Sequence, residues 1–204
     1  MKTTPTVRWK WIVGASLLAY AGLFVASCFE STDCANCWQA AVMLRELTLA
    51  EEEFRRTDAD KNGTPDYWRR DAAGLYTLAV NGKPLKFINL STAQADHRPV
   101  SPVPGGQACH DAYWIESLGF RDEKSPDPYR FAYCAWPVPQ PWKEWTFIVN
   151  QQGVVYGKRC GTVGPPEVYP LDPPAEGWVT IERVRKIRWR ERNPLWWVRF
   201  WEAL

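Results

Sequence analysis

The chain has 204 residues, a formal net charge of +2 and 24% charged side chains. That balance gives bulk electrostatics no argument for a nucleic-acid partner. Its 13 tryptophans are far from ordinary, and rings at such density belong either to an aromatic core or to surfaces that touch lipid, saccharide or protein.

The first element in chain order is an uncharged apolar run, Trp11–Phe29, behind Lys2, Arg8 and Lys10 and ahead of Glu30 and Asp33. Its 19 residues, at about 1.5 Å each in a helix, nearly cross a hydrocarbon core of about 30 Å. Basic residues before the run and acidic ones after it predict a cytoplasmic N-terminus and an extracytoplasmic remainder. The expected location is the bacterial inner membrane, single-pass. Val25-Ala26-Ser27-Cys28 also fits a lipoprotein signal, so two mature forms stay open. In one, residues 1–30 are a cytoplasmic N-terminus and an uncleaved anchor; in the other, Cys28 is the acylated first residue. The length of the run favours the anchor. About 175 residues then remain, enough for one domain with a substantial core. Six cysteines suit an oxidising compartment, where disulfides form and persist.

Residues 31–57 read as an amphipathic helix, from about Asp33 to Arg56. Cys37, Ala40, Leu44, Leu47, Ala50 and Phe54 recur at spacings of three and four, which defines one helical face. Ser31, Thr32 and Asp33 are suited to cap its start. Arg45, Glu46, Glu52, Glu53 and Arg56 are assigned to the opposite, solvated face. Near its start, Cys34-Ala-Asn-Cys37 has the spacing of a redox pair at a helix N-terminus, where thiolates are stabilised. No thioredoxin-like strand precedes it, and Trp38 replaces the histidine of a haem attachment motif. A structural or intermolecular disulfide is therefore expected ahead of redox catalysis.

Asp58-Ala-Asp60-Lys-Asn62-Gly63-Thr64-Pro-Asp66 matches the first nine positions of an EF-hand loop. Hard oxygens for Ca2+ would come from Asp58, Asp60, Asn62, the Thr64 carbonyl and Asp66, with Gly63 at the turn. The twelfth position is Arg69 rather than a bidentate glutamate, so a closing carboxylate would have to be Asp71 or come from elsewhere. Read without a cation, the segment is a solvated Asp/Asn/Gly turn.

Residues 58–177 are expected to form an α+β domain. Leu75–Val80, Asn81-Gly82 and Leu85–Leu90 read as a hairpin. The segment His97–Gly106 is proline-rich and reads as an exposed connector. Strands are expected at Tyr129–Trp136, Trp145–Val149 and Val154–Gly157, the last two joined by a turn that ends at Gly153. Prolines at 165, 166, 170, 173 and 174 mark a further irregular segment. Residues 178–204 are a basic, aromatic tail, and two readings of it stay open. It can lie at a bilayer surface with its rings in the interface, or it can be a final strand and short helix that close the core.

Ala135-Trp136-Pro137, followed by Thr146-Phe147-Ile148-Val149-Asn150-Gln151-Gln152-Gly153-Val154-Val155-Tyr156, resembles a bacterial envelope family of unknown function. In that family a W-P element precedes a TFIVN-x-x-G-V-V-Y hairpin. Phe54–Leu78 is similar to the segment after the helix in pilin-like proteins of that kind. The resemblance implies a pilin- or pseudopilin-like fold: an N-terminal transmembrane segment continuing into a long helix, packed on a small antiparallel sheet. Pro5-Thr6-Val7-Arg8 lacks the glycine and glutamate of a prepilin-peptidase site, so the resemblance concerns shape rather than processing.

The two histidines, His97 and His110, have no metal-ligand spacing, and no nucleophile elbow, phosphate loop or dinucleotide fingerprint is present. The sequence therefore assigns no catalytic residue. Its leading expectation is a membrane-anchored, extracytoplasmic, structural or interaction component of the envelope, with pilin-like or other envelope proteins as partners. The alternatives are a calcium-stiffened module for saccharide or peptide, and a thiol oxidoreductase working through Cys34 and Cys37.

Overall fold

A computed structural model describes residues 37–80, 82–100, 102–122, 127–138, 145–160 and 164–184. The chain divides into two units, Met1–Trp38 and Gln39–Leu204. Of the first, Cys37 and Trp38 are described, both helical.

Residues 37–57 are helical (α1). In the second unit the buried face of α1 consists of Ala40, Ala41, Met43, Leu44, Leu47, Ala50, Glu51 and Phe54. All the positions assigned to that face from their spacing are buried, and Glu51 is buried among them.

The main sheet has five antiparallel strands in the order β3 (Tyr113–Ser117), β5 (Ala132–Pro137), β6 (Trp145–Asn150), β7 (Tyr156–Arg159) and β9 (Val179–Thr180). Residues paired across antiparallel strands share a face. Ile115, Ala135, Phe147 and Gly157 therefore lie on one side, together with Tyr133 and Val149. This is the side toward α1, because the Tyr133 hydroxyl donates to Glu51. Cys134, Ile148 and Tyr156 lie on the other.

That second side is covered as well. Phe120 of β4 (Gly119–Phe120) and Tyr169 of β8 (Val168–Tyr169), two short parallel strands, bring their rings to 5.7 Å. With Leu118 and Trp178 they bury Ala132, Cys134 and Ile148. This double cover explains why β6, WTFIVN, is buried at every position instead of alternating.

The strands expected around residues 129–157 are present with shifted ends. The turn between β6 and β7 closes as anticipated: Gly153 has φ +71° and its amide donates to the Asn150 carbonyl at 2.8 Å. Trp178, β9 and a helical turn at residues 181–184, with Ile181 and Val184 buried, close the core. The strand-and-helix reading of the tail thus holds for those residues, and the rest of the tail lies outside the described residues.

The expected hairpin over residues 75–90 needs correction. Only Ala79–Val80 (β1) and Lys83–Pro84 (β2) pair, around Gly82 at φ +73°. Gly74–Thr77 forms a one-turn helix, α2, and Leu90–Gln94 forms another, α3. Side-chain acceptors draw these segments away from a ladder. Asp71 takes the Gly74 amide and Asp96 the Ala73 amide, while Asn89 caps α3 by accepting from the Thr92 amide at 2.8 Å.

Among the described residues no helix is long and apolar enough to cross a membrane. The run Trp11–Phe29, Cys28 and Cys34 lie outside them.

Candidate functional site

The acidic loop begins where α1 ends. Asp58 and Lys61 take left-handed backbone conformations (φ +44° and +59°), and Gly63 does so at φ +80°. The Gly63 amide donates to Asp58 Oδ2 at 3.1 Å and the Thr64 amide to Asn62 Oδ1 at 2.7 Å. Asn62 Nδ2 donates to Asp60 Oδ2 at 2.9 Å and to Asp66 Oδ2 at 3.2 Å. The loop therefore brings Asp60 and Asp66 to the Asn62 side-chain amide and Asp58 to the Gly63 amide, while the Thr64 carbonyl accepts from the Asp66 amide at 2.8 Å. Asp58 Oδ1 is shielded from solvent and has no hydrogen-bond partner.

Asp71 does not serve as the closing carboxylate considered from the sequence. It is 2% exposed, and its oxygens accept from Trp68 Nε1, the Gly74 amide and the Val100 amide. It is part of the core. Among the described residues no group of three or more His, Cys, Asp or Glu side chains is placed to hold a metal ion.

The far end of the loop is anchored on α1. The Tyr67 hydroxyl donates to Glu52 Oε1 at 2.6 Å and the Trp68 amide to Glu51 Oε2 at 2.8 Å. Glu51 has no solvent exposure, and its Oε1 accepts from Tyr133 at 2.6 Å. Burial pushes its carboxyl up to about 8, against the opposing pull of the hydrogen bonds from Tyr133 and Trp68. Burial likewise raises the Asp96 carboxyl, although the Ala73 and Arg98 amides donate to it. The Tyr67 hydroxyl is raised to about 12, by burial first and then by Glu52.

A second carboxylate, Glu46, expected on the solvated face of α1, is half-buried there and has partners. It accepts from the Asn89 amide, from Asn89 Nδ2 and from the Thr92 hydroxyl, at 2.6 to 2.8 Å. Carboxylates on α1 thus hold residues 67–68, the start of α3 and strand β5. Glu51 and Tyr133 are shut off from solvent, and this cluster ties the acidic loop and the sheet to α1.

Sequence reasoning missed Glu51, although a signal was present. It stands four residues after Leu47 and three before Phe54, on the apolar stripe where a carboxylate must find partners.

Cys37 is buried, Cys109 is exposed, and no disulfide links Cys109, Cys134 and Cys160 to one another. Burial pushes the thiols of Cys134 and Cys160 up, away from the thiolate that redox chemistry requires. His110 sits beside Asp111 at 3.4 Å and His97 beside Glu116 at 3.5 Å.

Comparison with protein families, with characterised proteins and with solved structures finds no match for this chain.

Proposed function

We propose that this chain is a membrane-anchored, extracytoplasmic, pilin-like protein that serves the bacterial envelope as a structural or interaction component. The observation that carries the reading is the order of elements: an apolar run long enough to span, then α1 laid on an antiparallel sheet. Buried positions along α1 and the Tyr133–Glu51 bond make that helix integral to the domain. The partners this reading implies are a lipid bilayer and other envelope proteins of similar shape.

The test is the intact mass of protein extracted from membranes, with size analysis in detergent. Full-length or Cys28-acylated chain in the membrane fraction, eluting as oligomers or with partner chains, is the expected result. Unmodified full-length chain confined to the soluble fraction would overturn the anchor. A partner-free monomer in detergent would overturn the assembly role.

A second reading is a calcium-stiffened module for a saccharide or peptide. It is favoured by the orphaned, solvent-shielded Asp58 Oδ1 in a loop that turns on Gly63. Rotation of the Asn62 amide would put its oxygen where its nitrogen now bridges Asp60 and Asp66, giving Ca2+ an oxygen set that water must complete. At Kd values of about 0.1–1 mM, 10 mM Ca2+ should add about 1.4–2.7 kcal/mol, a rise of a few degrees in Tm. Asp58→Asn should cancel that rise. An unchanged melt of the parent protein in 10 mM Ca2+ removes the metal. The thiol oxidoreductase reading has less support, since Cys37 is buried and Cys34 lies outside the described residues.

A further inference from the structure

We infer that His97 and Glu116 form a pH-operated clasp at the base of the proline-rich connector, closed while the imidazole carries its second proton. The inference rests on neither the envelope reading nor the calcium reading.

The two ends of the connector meet at His97. The His97 amide donates to the Ile115 carbonyl of β3 at 2.8 Å. Gln107 Nε2, from the far end, reaches the carbonyls of Asp96 and His97 at 3.0 and 2.9 Å, and the Ala108 amide donates to the Gln94 carbonyl at 2.9 Å. Between these ties lie Pro99, Pro102 and Pro104, most of that stretch being exposed.

The imidazole is seated edge-on against two indoles, Trp114 at 5.6 Å and Trp136 at 5.1 Å. These tryptophans are paired across β3 and β5, so they form one rigid wall. His97 Nδ1 stands 3.5 Å from Glu116 Oε2. Both atoms are shielded from solvent, and neither has a hydrogen-bond partner.

The charged and titratable groups facing the ring come from each packed element. Glu116 is on β3, and its Oε1 is paired with Arg98 Nη1 from the connector at 3.2 Å. Cys134, opposite Glu116 on β5, is a fully buried thiol pushed up by burial. Asp96, one residue before the histidine, has its Oδ1 occupied by the Arg98 amide. Glu116 is thus the carboxylate with an oxygen to spare for the ring.

A second proton on the imidazole turns two orphaned atoms into a charge-assisted pair inside a partly dry seat, which a small rotation shortens. The sign follows from that partnership. The clasp contributes at acidic pH, where a histidine side chain carries both protons, and is lost at alkaline pH. Its loss frees the base of the connector from β3 on that side, so that the backbone ties there, the Ala108 amide to the Gln94 carbonyl among them, open more often.

The test is a double-mutant cycle with His97→Asn and Glu116→Gln in the full chain, read from denaturant midpoints at pH 5.5 and pH 8. The expected coupling is about fivefold in the unfolding constant at pH 5.5, falling below about twofold at pH 8. A second readout uses the parent protein alone. Exchange of the Ala108 amide, corrected for intrinsic rate and compared with the Gly153 amide in the β6–β7 turn, should slow relative to it at pH 5.5. Equal coupling at both pH values would make the contact merely structural and overturn the proposal. So would Ala108 exchange that tracks Gly153 throughout.

Discussion

Glu51→Gln should raise the stability of this protein at pH 8 and leave it nearly unchanged at pH 4.5. The carboxyl sits near 8 in the folded chain against an ordinary 4.5. A group raised by folding prefers to be protonated there, so its contribution is intact below about 4.5 and is lost progressively as pH climbs to about 8. The full difference corresponds to about 5 kcal/mol, a large share of the 5–15 kcal/mol typical of a domain. Raised Asp96 works in the same direction. Glutamine cannot ionise, yet it fits the same hydrogen bonds. Its oxygen can accept from the Trp68 amide and its nitrogen can donate to the Tyr133 oxygen, whose own proton has the Trp68 carbonyl at 3.4 Å. Urea midpoints from pH 4.5 to 8.5 should fall more steeply for the parent than for the variant. Parallel curves would show that Glu51 is not protonated in the folded protein at neutral pH.

The same residue shows how far the sequence could be read. The stripe Ala40, Leu44, Leu47, Ala50 and Phe54 specifies the buried face of α1 because helical spacing is a local property. The β6–β7 turn is legible for a similar reason: Asn150 and Gly153 meet local backbone needs. Helices α2 and α3 were not legible, since they are held in part by Asp96 and Glu46, whose partners lie 23 and 46 residues away in the chain. Strand β3 was missed outright, although Tyr113 and Ile115 are buried and Trp114 and Glu116 half-buried, an alternation a strand should show. The unbroken burial of β6 was written in WTFIVN, which has no solvent-facing alternation, but the Phe120–Tyr169 cover came from two-residue strands too short to leave a pattern. For the acidic loop, the positions of Asp58, Asp60, Asn62 and Asp66 were readable from their spacing. The diversion of Asp71 into the core was not, because it depends on Trp68 and Val100.

Gly74→Ala should destabilise the domain by about 3 kcal/mol, the sum of overpacking and a broken buried hydrogen bond. A Cβ at that position would lie 2.3 Å from Trp68 Nε1 and 2.4 Å from two further indole atoms. The backbone angle is not the obstacle, since Gly74 does not have a positive φ. The ring has little freedom to retreat. Its Nε1 donates to the Asp71 carbonyl at 2.9 Å and to Asp71 Oδ1 at 3.0 Å, and its face lies 5.8 Å from Phe54. Its backbone amide is held by Glu51. Displacing the indole therefore releases Asp71, and with it the amides of Gly74 and Val100. Gly119→Ala is the matched control, because a Cβ there meets nothing within 4 Å; its effect should stay within about 0.5 kcal/mol. If the two substitutions cost the same, the Trp68 indole can move without penalty. The carboxylate network that fastens the acidic loop to α1 would then be a loose set of contacts rather than a rigid clamp.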